Sequence, residues 1–147
     1  MKYIKLSKNK RAIVDDEDFD LVNQFKWCCN TENYAMRSSK DGNSRWMHRL
    51  IINTPKGKQT DHINGNRLDN RKSNLRICTH QQNNFNRLKQ KGTSKYKGVS
   101  WCKALKKWTA AIKLNYKAKN LGYFIDEKSA ALAYQNKAKE LFGNFAR

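Results

Sequence analysis

Short apolar segments alternate with polar turns through the first half of the chain. Residues 3–6 and 12–14 are largely apolar and flank a polar segment, which predicts a β-hairpin. Apolar positions at helical spacing follow, and they predict a short helix capped by Asp15 or Asp16. The helix positions are Phe19, Val22 and Phe25, and further strands are predicted at residues 27–30, 34–37 and 45–47.

A second hairpin is predicted within residues 61–84. Asp61 and His62 lie on its first strand, and Leu75 and Ile77 alternate with polar positions on the strand that returns beside it. The loop between the strands is rich in residues that favour turns, namely Asn64, Gly65, Asn66, Asp69, Asn70 and Ser73. We therefore expect a tight loop that hydrogen-bonds to its own backbone.

A helix is predicted to follow this hairpin. Thr79 and Gln82 have the spacing of a capping box, in which each side chain accepts a hydrogen bond from the backbone of the other residue. Asn83 then falls in the first turns of the helix and is expected to face back toward the hairpin. Asp61, His62 and Asn83 would thus lie near one another.

A different pattern begins after the polar, glycine-containing segment at residues 90–94. Residues 94–101, 106–115 and 120–124 predict three short strands, and residues 126–142 predict a helix whose alanines allow close packing on a sheet. The whole pattern predicts an α+β protein of two modules, residues 1–90 and residues 91–147.

Composition favours a nucleic-acid partner. The 147 residues carry a formal net charge of +19, and residues 87–147 hold most of this excess. We expect a cytoplasmic protein without a membrane span, because no apolar segment has spanning length and the basic start leads into an acidic patch. The cysteines form no CxxC pair, so we expect reduced thiols and no structural zinc.

Residues 61–84, together with the segment MHRLIINTP at residues 47–55, resemble the HNH endonucleases found among phage and intron homing enzymes. The resemblance implies a ββα-metal fold in which His62 is the general base and Asp61 and Asn83 hold one divalent cation. Asn74 would brace the loop and orient the base. Asn84 and His80 are the alternative ligands. Since Asn83 stands where many members have His, the ion is expected to be Mg²⁺ or Mn²⁺.

Residues 94–146 resemble the AP2 DNA-binding domain of plant transcription factors, through their KGV, KW and LGYF elements. The resemblance implies a three-stranded antiparallel sheet packed on one helix, with the free face of the sheet in the major groove of duplex DNA. The predicted DNA contacts are Arg49, Arg76, Lys97, Lys103, Lys106, Lys107, Lys113, Lys117 and Lys119. Sequence preference does not transfer, because Ser100, Ala111, Ala118 and Asn120 replace charged or Trp contacts of the plant domains.

The resemblances together predict a metal-dependent DNA endonuclease of the homing type, acting in a bacterial host cytoplasm if it is encoded by a phage. One His and one metal ion cut one strand at a time, so a monomer would nick and a homodimer could cut both strands. Two other functions are compatible with the sequence: a non-catalytic, sequence-specific DNA-binding regulator and a basic RNA-binding protein.

Overall fold

The computed structural model describes residues 1–86, 92–114 and 117–146. They form two compact units, Met1–Asn83 and Asn84–Arg147. Both units mix helices and strands, so the prediction of an α+β fold is confirmed. The predicted module boundary, between residues 90 and 91, lies outside the described residues.

The first unit begins with the predicted hairpin, which is antiparallel and pairs Ile4 with Ala12. A second antiparallel sheet of three strands follows, and the motif hairpin comes after a short helix. The elements, the last of which crosses the boundary between the two units, are β1 (Lys2–Lys5), β2 (Arg11–Val14), a 3-10 turn (Asp16–Asp18), α1 (Phe19–Asn23), β3 (Cys28–Cys29), β4 (Ala35–Ser38), β5 (Ser44–Trp46), α2 (Met47–Ile51), β6 (Gln59–His62), a 3-10 turn (Lys72–Asn74), β7 (Leu75–Cys78) and α3 (His80–Asn86).

The core of the first unit connects the N-terminal hairpin to the motif. Ala12 and Val14 of β2, Met47 of α2 and Leu75 of β7 are buried in one apolar cluster. Fully burying a Val, Met or Leu side chain contributes about 1.5–3 kcal/mol. The cluster therefore fixes the β6–β7 hairpin against elements that lie far away in the sequence.

Two details of the predicted N-terminal elements are wrong. Asp15 stands at the N-cap position of the 3-10 turn, but its side chain makes no capping hydrogen bond: its Oδ2 accepts a hydrogen bond from the backbone N–H of Lys72 at 2.8 Å, and Asp16 pairs with the N-terminal ammonium group at 3.0 Å. Met47, predicted to end a strand, begins α2. Each of the carboxylates is used in a contact that local sequence does not specify.

The second unit contains a three-stranded antiparallel sheet in the order β10-β9-β8 and one long helix. The elements are β8 (Val99–Cys102), β9 (Lys107–Leu114), β10 (Lys117–Phe124), α4 (Glu127–Phe142) and a 3-10 turn (Gly143–Phe145). Asp126 caps α4, accepting a hydrogen bond from the N–H of Ser129 at 2.8 Å. Gly98 has φ +72, and a Cβ there would lie 2.1 Å from the ring of Tyr134, so this position requires glycine.

Candidate active site

The strand β6 presents two buried polar residues side by side. Asp61 is 5% exposed and His62 is 4% exposed. In the β6–β7 ladder Asp61 is opposite Arg76 and His62 is opposite Leu75. Successive side chains on a strand point to opposite faces, so the carboxylate and the imidazole leave the strand in different directions.

His62 is held by Asn70, at the far end of the loop. The His62 Nε2 and the Asn70 Oδ1 are 3.2 Å apart, and Asn70 is completely buried. The Asn70 N–H donates to the carbonyl of Ile13 on β2, and its Nδ2 donates to the carbonyl of Leu68. The N-terminal hairpin thus fixes the residue that touches the imidazole. Sequence reasoning assigned no role to Asn70 beyond the loop turn.

Asn74, the predicted bracing residue, connects both ends of the same loop. Its Oδ1 accepts from the backbone N–H of Asn64 at 2.9 Å, and its Nδ2 donates to the carbonyl of Asp69 at 2.8 Å. Asp69 is also buried and accepts both N–H groups of the Arg71 fork, at 2.8 and 2.7 Å. This fork holds the pKa of Asp69 below its usual value. Asn74 therefore contacts the loop, whereas Asn70 is the residue bonded to His62.

Aromatic rings surround His62 on its other side. The His62 ring centre lies 5.1 Å from that of His48 and 5.9 Å from that of Tyr34. Trp46 stacks on His48 at 6.1 Å. His48 is 7% exposed, and in the described part of the chain its Nδ1 is a buried atom without a hydrogen-bond partner.

Burial dominates the protonation of both histidines. It lowers the pKa of His48 to about 3, with the charges of His62 and Arg49 acting in the same direction. It also lowers the pKa of His62, against the opposing effects of the Asn70 hydrogen bond and the Asp61 charge, while Arg67 adds to the lowering. Both imidazoles are therefore neutral near pH 7, the state that a general base requires.

Asp61, a predicted metal ligand, pairs with Arg76, a predicted DNA contact. The Arg76 Nε and Nη2 lie 2.8 and 2.7 Å from the Asp61 Oδ2. Only 6% of the Asp61 side chain and 16% of the Arg76 side chain are exposed. Arg76 thus neutralises a buried carboxylate, which would otherwise be costly to desolvate.

The capping box at the start of α3 is confirmed. The N–H of Thr79 donates to the Gln82 Oε1 at 2.8 Å, and the N–H of Gln82 donates to the Thr79 Oγ1 at 3.2 Å. Asn83 lies one residue further along, and its Nδ2 donates to the Oε1 of Gln59 on β6 at 2.8 Å. The alternative ligand His80 is exposed and its Nδ1 lies 3.0 Å from the Gln59 Nε2.

The donor set fits a hard cation. The bond from Asn83 to Gln59 uses the amide nitrogen, so Asn83 would offer a cation its amide oxygen, and Asp61 would offer a carboxylate oxygen. Across the described ranges, no group of three His, Cys, Asp or Glu side chains is arranged to hold an ion. A cation here would therefore take further oxygen ligands from water and substrate, as Mg²⁺ commonly does. Burial raises the pKa of the Cys78 thiol to about 11, which disfavours a thiolate ligand.

The predicted DNA contacts occupy several kinds of position. The guanidinium of Arg49 donates to the carbonyls of Lys58 and Pro55, and the Lys97 Nζ donates to the carbonyl of Phe85. Lys103 and Lys106 lie in or beside the β8–β9 turn.

Register places two of the lysines on the face of the sheet away from α4. Val99, Ala110 and Ile112 are buried on the helix side. Lys107 and Lys113 alternate with Ala110 and Ile112 along β9, so they lie on the opposite face. Lys117 is opposite Leu114 and Lys119 is opposite Ile112. Both lysines therefore project from the face of the sheet that packs against α4, and both are exposed.

No helix among the described residues has the length and apolar character to cross a membrane. The four cysteines are free thiols: Cys28 is exposed, Cys29 and Cys78 are buried, and Cys102 is partly exposed.

Residues 45–85 match a family described as HNH endonuclease. A protein of Acanthamoeba polyphaga mimivirus named Uncharacterized HNH endonuclease L560 is 32% identical over 147 residues, covering 95% of this chain and 74% of that protein. Protein 3.8 of Escherichia phage T7 is 34% identical over 94 residues, covering 63% of this chain and 77% of that protein. No solved structure matches the chain. The matched segment contains Asp61, His62 and the start of α3, and the viral relative extends the similarity along almost the whole sequence: the chain belongs to the HNH endonuclease family.

Proposed function

We propose that this chain is a metal-dependent DNA endonuclease of the phage homing type, in which His62 is the general base. The observation that carries the proposal is the pair of buried neighbours, Asp61 and His62, with the imidazole bonded to Asn70. A buried, neutral histidine held in one orientation is suited to remove a proton from water. General-base catalysis of this kind contributes about 10² to 10⁴ in rate.

The hydrogen bonds of Asn70 determine which nitrogen of His62 acts. Since the Asn70 Nδ2 donates to Leu68, its Oδ1 is the atom facing the imidazole and must accept a hydrogen bond. The His62 Nε2 then carries the proton in the neutral ring, and Nδ1 is the basic nitrogen. Asn70 also stabilises the imidazolium that forms when Nδ1 takes a proton from the attacking water.

Asp61 and Asn83 would hold a divalent cation, Mg²⁺ or Mn²⁺. When bound, the cation supplies positive charge beside the scissile phosphate and the departing oxygen. Arg76 pairs with the buried Asp61 carboxylate at 2.7 Å, and Gln59 positions the Asn83 amide through its Nδ2. The capping box holds the first turn of α3, so the Asn83 side chain stays near β6.

The second unit is proposed to be an AP2-like domain that binds duplex DNA through the face of the sheet away from α4. Lys107 and Lys113 lie on that face and are suited to contact phosphates. Asn120 and Thr109 share the face, since Asn120 is opposite Ala111 and Thr109 is opposite Ser100. Such side chains can hydrogen-bond base edges.

The experiment uses the purified full chain and supercoiled plasmids at low salt, with Mg²⁺ or Mn²⁺ and with EDTA. We expect nicked circles with metal and none with EDTA. His62→Ala should lower the nicking rate by about 10² or more. Asn43→Ala is the control, because Asn43 is exposed in a turn outside the motif, and it should cut at the wild-type rate or close to it.

Three outcomes would count against this function. Undiminished cutting by His62→Ala would remove the imidazole from the reaction. Tight, sequence-specific DNA binding that is indifferent to EDTA, without any cutting, would instead identify a DNA-binding regulator that retains the nuclease scaffold. Preferential binding of single-stranded RNA over duplex DNA would point to an RNA-binding protein.

A further inference from the structure

Arg67 lies in the β6–β7 loop, and groups from the turn between β3 and β4 hold its guanidinium in place. Nη1 donates to the backbone carbonyl of Glu32 at 2.9 Å, and the guanidinium carbon lies 4.6 Å from the centre of the Tyr34 ring. The Glu32 carboxylate is 3.5 Å from the same nitrogen, and the two side chains are 40% and 66% exposed. The Arg67 guanidinium is therefore fixed in position while it remains open to solvent.

Tyr34 connects this guanidinium to His62. The Tyr34 ring that carries Arg67 on its face also packs 5.9 Å from the His62 ring and 5.3 Å from the His48 ring. The guanidinium of Arg67 and the imidazole of His62 therefore pack against the same aromatic ring.

The other arginines of the motif already have carboxylate partners. Arg71 binds the buried Asp69 through both arms of its fork, and Arg76 binds the buried Asp61. The partner of Arg67 is the exposed Glu32, and an exposed ion pair of this kind contributes at most about 1 kcal/mol. An incoming anion can replace that carboxylate at little cost.

We propose that Arg67 binds the phosphodiester that is cut, with its guanidinium on the non-bridging oxygens. This inference rests on the proposed nuclease function and adds a residue to which no role has been assigned. The planar fork of guanidinium donors matches two oxygens of a phosphate, and the Glu32 carbonyl uses one N–H of that fork. Tyr34 is the positioning residue, because its ring supports the face of the guanidinium.

The test compares Arg67→Ala and Arg67→Lys with Arg45→Ala in single-turnover cleavage at saturating plasmid DNA. Arg45 is a matched control, since it also forms an exposed ion pair, with Asp41 at 2.7 Å. Arg67→Ala should lower the rate constant by about 10²–10³, the usual effect of removing one preorganised donor to the reacting group. Arg67→Lys should be intermediate, because it keeps the charge and loses the fork.

Three controls separate this role from a structural one. The affinity of Arg67→Ala for uncut DNA in EDTA should change no more than that of Arg45→Ala, and circular dichroism should be unchanged. Added methylguanidinium should partly restore cleavage by Arg67→Ala, which it would not do for a misfolded variant. Equal cleavage rates for Arg67→Ala and Arg45→Ala would overturn the inference while the wild-type activity upholds the proposed function.

If the wild type does not cut DNA, the proposed function fails and a binding experiment decides the role of Arg67. Inorganic phosphate is added at constant ionic strength, and the ring resonances of His62 are followed by NMR. We expect a saturable shift in the wild type and in Arg45→Ala, and none in Arg67→Ala. The same response in all three proteins, or no response in any, would overturn the inference.

Discussion

The His62 Nε2 lies 3.2 Å from the Asn70 Oδ1, and the backbone of Asn70 is in turn hydrogen-bonded to Ile13. The orientation of the imidazole therefore depends on the N-terminal hairpin as well as on the motif loop. Ile13 and Asn70 are far apart in the sequence, and the contact exists because Ala12 and Val14 are buried in the same core as Leu75.

Asn70→Ala is expected to lower kcat by about 10- to 100-fold, the usual effect of removing the residue that orients a catalytic group. Asn70→Asp should raise the pKa of His62, since a carboxylate stabilises the imidazolium. The base must be neutral, so the acidic limb of the pH–rate profile should move to higher pH in Asn70→Asp. Asn43→Ala, in an exposed turn, is the control. A profile unchanged from wild type in Asn70→Asp would contradict the contact.

Arg76→Met should reveal how much the free energy of unfolding falls when the buried Asp61 carboxylate loses its partner. Breaking a buried ion pair from one side costs about 3–5 kcal/mol, so the free energy of unfolding in EDTA should fall by roughly that amount. Mg²⁺ should then stabilise Arg76→Met more than the wild type, because the cation replaces the missing guanidinium. Urea unfolding with and without Mg²⁺ measures both effects. An equal Mg²⁺ effect in both proteins would argue against Asp61 as a ligand.

His48 should make the protein sensitive to acid. Its pKa is lowered from 6.5 to about 3, so below pH 6.5 the unfolded chain binds a proton that the folded chain does not. The free energy of unfolding should therefore fall between pH 6.5 and about 3, by at most about 1.4 kcal/mol per pH unit from this group. His48→Phe should flatten this dependence, and Asn43→Ala, which removes no titratable group, should leave it unchanged. Chemical unfolding over this pH range gives the comparison.

Lys113→Ala should weaken binding of duplex DNA similarly for all sequences. Each phosphate contact contributes about 0.9 to the slope of the logarithm of the binding constant against the logarithm of salt concentration. The slope should become shallower by roughly that amount in Lys113→Ala. Lys128→Ala removes the same charge from the exposed side of α4 and should leave the slope unchanged. Similar slopes for both variants would indicate that the sheet face does not contact DNA.

Local sequence patterns were sufficient for the secondary structure around the motif. The strands β6 and β7 follow from alternation, and the start of α3 follows from Thr79 and Gln82, because a capping box involves only residues within one turn. The position of Asn74 within the motif also predicted that it braces the loop, and its contacts to Asn64 and Asp69 stay inside that loop. The assignments of Asp61, His62, Asn74 and Asn83 to catalysis and metal binding remain predictions.

The sequence by itself determined the α+β class, the motif hairpin and the family resemblance, because alternation, turn residues and capping are short-range properties. Only the tertiary structure decided that Asn70 holds the imidazole, that Arg76 pairs with Asp61 and that Arg67 lies on Tyr34 beside His62. These contacts join β2 and the β3–β4 turn to the motif loop across the core. These contacts cannot be predicted from the spacing of residues along the chain, because the packing of buried side chains from distant elements brings the groups together.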